Sequence, residues 1–103
     1  MDEIEELAGV FKALSDPTRL KLVQLLSECL PGECHGGALC VNALAHRVGV
    51  SQSAVSQHLR VLRQAGLVRG ERRGHFVHYS LDQDGLEQYR VRLRETLGEH
   101  FVK

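Results

Sequence analysis

The chain has 103 residues, 43% hydrophobic and 25% charged, enough for one modest core, so residues 1–103 are read as a single domain. Thirteen basic residues balance thirteen acidic ones, so net charge alone names no partner. No apolar run nears the ~20 residues that cross a bilayer, and three cysteines cannot all pair within one chain; membrane, collagen-like, disordered and disulfide-scaffold classes are excluded. The opening Asp2-Glu3-Ile4-Glu5-Glu6 is the reverse of a signal peptide, so a reducing cytoplasmic setting is expected.

Ile4, Leu7, Ala8, Phe11 and Leu14 recur at helical spacing and predict an amphipathic first helix over about residues 2–14. Asp16-Pro17 reads as an N-cap followed by proline at the first helical position, where its missing N–H costs nothing. Leu20, Leu22, Val23, Leu25, Leu26 and Cys29 continue this second helix as a largely buried one to about Glu28, before Pro31-Gly32 stops it. A loop containing Gly36-Gly37 leads to a short third helix, about Val41 to Val48, that buries Leu44 and Val48. Gly49 breaks it, Ser51 caps a fourth helix, and Gly66 ends that helix after Ala65, with Val55, Leu59 and Leu62 facing inward. Leu67–Arg72 and Phe76–Leu81 flank Arg73-Gly74-His75 as a β-hairpin. The last helix, from about Asp84 to Phe101, lines up Leu86, Tyr89, Leu93, Leu97 and Phe101.

Charge is uneven along this order. Residues 1–43 hold three basic against seven acidic residues, net −4, and residues 80–103 hold four against five, net −1. Residues 44–79 hold six arginines against Glu71 alone, net +5. Such a segment is either the footprint of polyanion binding through one face or a solvated arginine-rich surface.

The third and fourth helices favour the first reading. Ala45, Gly49 and Val55 follow the spacing A-x3-G-x5-V, in which a small residue lets two helices approach, a glycine makes the turn and a branched side chain locks the second helix down. The fourth helix then presents Gln52, Ser53, Ser56, Gln57 and Arg60 outward, with Arg63 one turn on and no carboxylate between Ser51 and Ala65. Glutamine can bond adenine in bidentate fashion, serine is a permissive base or phosphate partner, and arginine suits phosphate or guanine. His58 either touches a phosphate or bridges to backbone. The hairpin adds Arg69, Arg72, Arg73 and His75 where a wing would flank the duplex and bind its phosphates. The fold class is therefore mainly α with a small β-hairpin. It is a winged helix–turn–helix of four helices, two strands and a fifth helix, with room for a short extra strand before the third helix. An enzyme is not expected: no nucleophile has a positioned base, Cys34 and His35 are sequence neighbours that point apart, and no glycine-rich phosphate loop follows a strand.

The segments Ala13-Leu14-Ser15-Asp16-Pro17-Thr18-Arg19-Leu20, Ser51-Gln52-Ser53-Ala54-Val55-Ser56-Gln57-His58-Leu59, Leu62-Arg63-Gln64-Ala65-Gly66-Leu67-Val68 and Val77-His78-Tyr79-Ser80-Leu81 together resemble the ArsR/SmtB family of metal-responsive winged-helix repressors, over about residues 4–101. The resemblance implies a homodimer through the first and last helices, bound to double-stranded operator DNA until a signal releases it. The apolar stripes on those two helices exceed what so small a core can use, in agreement. A two-fold dimer would set its recognition helices about 34 Å apart on an inverted repeat.

Members with a sensor on the third helix typically carry Leu-Cys-Val-Cys-Asp; here the stretch is Leu39-Cys40-Val41-Asn42-Ala43, so Cys40 matches the first thiol and Asn42 replaces the second. Cys29, Cys34, His35 and Cys40 are the remaining candidates, spaced C-x4-C-H-x4-C. Three thiolates would suit arsenic(III) or antimony(III) as inducer, and adding His35 would suit zinc or cadmium. Cys29 also continues the apolar side of the second helix and is either a buried structural thiol or a ligand. Cys34 and Cys40 equally permit a thiol-redox or persulfide sensor using a reversible link. The family's other metal pattern, on the last helix, is incomplete: Asp84 and His100 fit, but Leu86 and Leu97 do not, so both are expected to be surface residues.

Overall fold

The computed structural model describes residues 2–28 and 39–100. In chain order they form α1 (Glu3–Leu14), α2 (Pro17–Ser27), β1 (Leu39–Cys40), α3 (Val41–Val48), α4 (Gln52–Gln64), β2 (Val68–Arg73), β3 (Phe76–Leu81) and α5 (Gln83–Leu97). Four of the five helices start where a short polar side chain takes up a free backbone N–H. Asp2 accepts from Glu5 at 2.8 Å, Asp16 from Thr18 and Arg19 at 2.8 and 3.1 Å, Ser51 from Ala54 at 3.2 Å, and Asp82 from Gly85 at 3.0 Å. α3 is the exception: Cys40 occupies its N-cap and makes no side-chain cap bond.

The core is assembled around α4. Its Val55, Leu59 and Leu62 are fully buried, together with Leu22 of α2, Leu44 of α3 and the Leu67-Val68 pair that opens the hairpin. Burying one such side chain contributes about 1.5–3 kcal/mol, so this cluster dominates the stability of the domain. α1 adds Leu7, Val10 and Ala13 on its inner flank. Of the sequence stripe Ile4, Leu7, Ala8, Phe11 and Leu14, only Leu7 is buried; Ile4 is 63% and Phe11 49% exposed, in keeping with a stripe that exceeds what this core can use. Both sets recur at helical spacing, and periodicity alone does not say which flank the chain's own core takes.

Three expectations need correction. In α2, Leu22 and Leu26 are buried, but Leu20 lies on the outer side and is largely exposed. In α3 the second buried residue is Ala45; Val48 is only partly covered. α5 ends at Leu97 rather than near Phe101, because Gly98 takes a positive φ of 94° and its N–H closes the last turn on the Arg94 carbonyl at 2.8 Å. The remainder of that stripe, Phe101, lies outside the described residues.

The sheet is antiparallel throughout, in the order β1-β3-β2. Arg73 pairs with Phe76 across a two-residue turn, with Gly74 at φ 65° and His75 on the negative side, the pattern of a type II′ hairpin. β1 is the extra strand: Leu39 pairs with Tyr79 and Cys40 with His78. At the other end, the start of α5 packs onto the turn after α4 so closely that a Cβ on Gly85 would lie 2.2 Å from the Gly66 carbonyl oxygen. Tyr89 of α5 donates its hydroxyl to the Ala65 carbonyl at 2.7 Å beside it.

Candidate nucleic-acid interface and sensor region

The turn between α3 and α4 is built as the spacing predicts. Gly49 is left-handed at φ 74°, and its N–H returns to the Ala45 carbonyl at 2.9 Å. Ala45 is buried at the closest approach, and Val55 anchors α4 with no exposed surface. With the inner stripe so placed, Gln52, Ser53, Ser56, Gln57, Arg60 and Arg63 all lie exposed on the outside of α4. The structure thus brings six of the predicted contact residues onto one helix, free of carboxylates. Gln52 is oriented: its Nε2 donates to Asn42 Oδ1 of α3 at 2.8 Å.

His58 behaves differently from its neighbours. It is half-buried, and its Nδ1 lies 3.4 Å from Arg19 Nη1 on α2. A guanidinium can only donate, so this ring nitrogen accepts. Arg19 also donates from Nε to the Ala13 carbonyl at 2.6 Å, and so ties the end of α1, the start of α2 and the middle of α4 together. Neither reading of His58 from sequence included this arginine. Asp16, which caps α2 beside them, is held below the ordinary carboxylate value. The largest cause is the Arg19 backbone N–H bond, working against some desolvation and aided by the Thr18 N–H and the charge of Arg19.

In the hairpin, Arg69, Arg72, Arg73 and His75 are exposed along one ribbon. Arg73 lies 3.7 Å from Glu71, an exposed pair that solvent screens strongly.

Of the candidate sensor residues, Cys40 alone falls within the described residues; Cys29, Cys34 and His35 lie outside them. Cys40 is a half-buried free thiol at the junction of β1 and α3. Directly opposite it on β3 stands His78, and opposite His78 on β2 stands Glu71, one row across the sheet. His78 was absent from the sequence candidates because its relation to Cys40 depends on a register that a two-residue strand does not announce. Among the described residues, no group of three or more His, Cys, Asp or Glu side chains is placed to hold a metal ion. Asp84 on α5 and His100 beyond its end are both exposed, as expected of surface residues.

These features coincide with matches to known proteins. The family model described as bacterial regulatory protein, arsR family, matches residues 16–69, from the cap of α2 to the second residue of β2. The chain belongs to the arsR family. Its regulatory relatives include the transcriptional repressor SdpR of Bacillus subtilis, 37% identical over 77% of this chain and 79% of that protein. A cadmium resistance transcriptional regulatory protein, the CadC homolog of Staphylococcus aureus, is 41% identical over 81% of this chain and 63% of its own length. Among solved structures, a homodimeric winged helix-turn-helix DNA-binding domain from Mycobacterium bovis superposes with a TM-score of 0.69 at 26% identity, covering 90% of this chain and 80% of that one. This arsR-family chain is thus a regulator rather than an enzyme, with the winged-helix fold of its neighbours. No helix among the described residues is long and apolar enough to cross a membrane. Asn42, at the position where the resemblance implies a second thiol, is engaged with Gln52.

Proposed function

We propose that the protein is a homodimeric transcriptional repressor that grips an inverted-repeat operator and releases it when a soft metal or metalloid ion is captured near Cys40. The observation that supports this reading best is the outer face of α4: an uninterrupted set of glutamine, serine and arginine side chains over a fully buried stripe, flanked by an arginine-rich hairpin. In this reading Gln52, Ser53, Ser56 and Gln57 address base edges in the major groove, Arg60 and Arg63 reach phosphate or guanine, and Arg72, Arg73 and His75 follow the flanking backbone. His58 stands behind this face, against Arg19. The second copy covers Ile4 and Phe11 of α1 with Val91 and Leu97 of α5, large apolar side chains that one chain leaves exposed.

The inducer's donors are the cysteines. Cys40 supplies one thiol and His78, opposite it, one imidazole; a complete site needs a third donor from Cys29, Cys34 or His35. Arsenic(III), antimony(III), cadmium and zinc all suit such sulfur-rich sets. Binding must favour a dimer geometry in which the two α4 helices no longer match successive grooves. A second reading is a reversible Cys34–Cys40 link, which needs only two thiols.

Binding of the purified protein to a duplex carrying its own promoter's inverted repeat, measured by fluorescence anisotropy at two salt concentrations, tests the core of the proposal. Affinity should fall steeply with salt, and replacing Arg60 or Arg63 by alanine should each lower the log–log slope by about 0.9. No binding even in dilute buffer overturns it. Native mass spectrometry with and without reductant separates the sensing readings, since a bound ion, an added sulfur and two lost hydrogens differ in mass. Unchanged release by every inducer in a Cys34→Ala, Cys40→Ala variant would reject both.

A further inference from the structure

We infer that Asn42 is a positioning residue for base selection: it holds the Gln52 carboxamide so that α4 presents an adenine-reading edge. The inference rests on the proposed DNA-binding role of α4 and adds to it a residue from α3 that itself touches no base. Gln52 is the first residue of α4 and is exposed, so on its own its three side-chain torsions would leave the amide free to turn. Asn42, in the first turn of α3, is also exposed, and its Oδ1 accepts from Gln52 Nε2 at 2.8 Å. Ten residues separate the two in sequence, and the Gly49 turn brings them side by side.

The chemistry follows from the two hydrogens on Nε2. With one of them engaged by Asn42, the amide keeps one free N–H and the Oε1 acceptor to offer as a pair. Adenine offers the complementary pair in the major groove, N7 as acceptor and N6–H as donor, whereas guanine offers two acceptors, N7 and O6. A Gln52 amide fixed in this sense favours adenine, and a freely rotating one discriminates less. Asn42 stands two residues after Cys40, in the first turn of the helix that Cys40 opens without a side-chain cap bond.

The test is sequencing of a randomised double-stranded DNA pool selected by the unmodified protein and by Asn42→Ala, Asn42→Asp and Gln52→Ala, at two salt concentrations. Gln52→Ala should erase the adenine preference at one position in each half-site. Asn42→Ala should lower the preference at that same position by roughly three- to tenfold, leave other positions unchanged and leave the salt slope unchanged. Asn42→Asp keeps the acceptor oxygen and should restore the preference while weakening binding to every sequence, since it adds a negative charge. An Asn42→Ala profile identical to the unmodified one, or equal weakening at all positions, overturns the inference while leaving the DNA-binding role intact. A Gln52→Ala profile without a positional change also overturns it. Failure of the unmodified protein to enrich any sequence overturns the DNA-binding role and this inference with it.

Discussion

α4 and α5 are both amphipathic helices of similar length, and they end in opposite situations. α4 hides Val55, Leu59 and Leu62 completely within its own chain and leaves a polar, cationic face outside. α5 has no buried residue, and its Val91 and Leu97, with Ile4 and Phe11 of α1, remain 39–63% exposed. The first helix is finished as a fold element and unfinished as a recognition surface. The second leaves large apolar side chains uncovered within one chain, on the face assigned above to the proposed second copy. A polar face with a satisfied core behind it points to nucleic acid; an apolar face with a satisfied polar side points to another copy.

The sharpest way to break this contrast is to attack the finished side. Leu59→Ala should destabilise the protein by about 2–5 kcal/mol in urea unfolding, because the lost methyl groups leave a cavity among side chains that cannot close it. A cost below ~1 kcal/mol would mean that α4 is not the centre of the core. Next in size is the unfinished side. Phe11→Asp should barely change the unfolding free energy of the monomer, yet shift sedimentation from dimer to monomer at micromolar concentration and weaken operator binding at least tenfold. Retention of the dimer would show that the apolar residues of α1 serve some other purpose.

The smallest effect concerns the joint between the two sides. Asp16 caps α2 and has a lowered pKa, so its carboxylate favours the folded state above the ordinary aspartate value of 3.8, and that contribution is lost as pH falls through the lower native value. Asp16→Asn keeps the capping oxygen but removes the titration. The melting temperature of the unmodified protein should therefore converge on that of Asp16→Asn as pH drops below 3.8, and exceed it near neutrality. A constant gap between the two across this range would rule out the charge as the source.

Much of this was legible in the residues, and the reasons differ by region. Asp16-Pro17, Ser51, Gly49 and Gly66 are punctuation whose backbone requirements are local, so each marks its boundary within a residue or so. The α4 stripe was legible because its polar and apolar sides differ sharply. On α1 the sequence showed more apolar surface than the core uses but not how it divides: Leu7-Val10-Ala13 and Ile4-Ala8-Phe11 are both helical in spacing, and neighbours far along the chain choose between them. β1 is too short for any periodicity, so the Cys40–His78 pairing needed coordinates. The Asn42–Gln52 and Arg19–His58 bonds join residues 10 and 39 positions apart, and no local rule announces either. Gly85 carries no signal of its own in the sequence; only the close approach of the Gly66 carbonyl explains why a side chain is refused there.

That approach also sets the mechanics of the molecule. Where Gly85 meets Gly66, main chain rests directly on main chain, with the Tyr89 hydroxyl bolted to Ala65 alongside. At that point no side chain separates the helix that would seat a twin subunit from the tail of the helix that would enter the groove. A few degrees of tilt at the twin seam would be passed on as swing of the reading head, with little give in the linkage to absorb it.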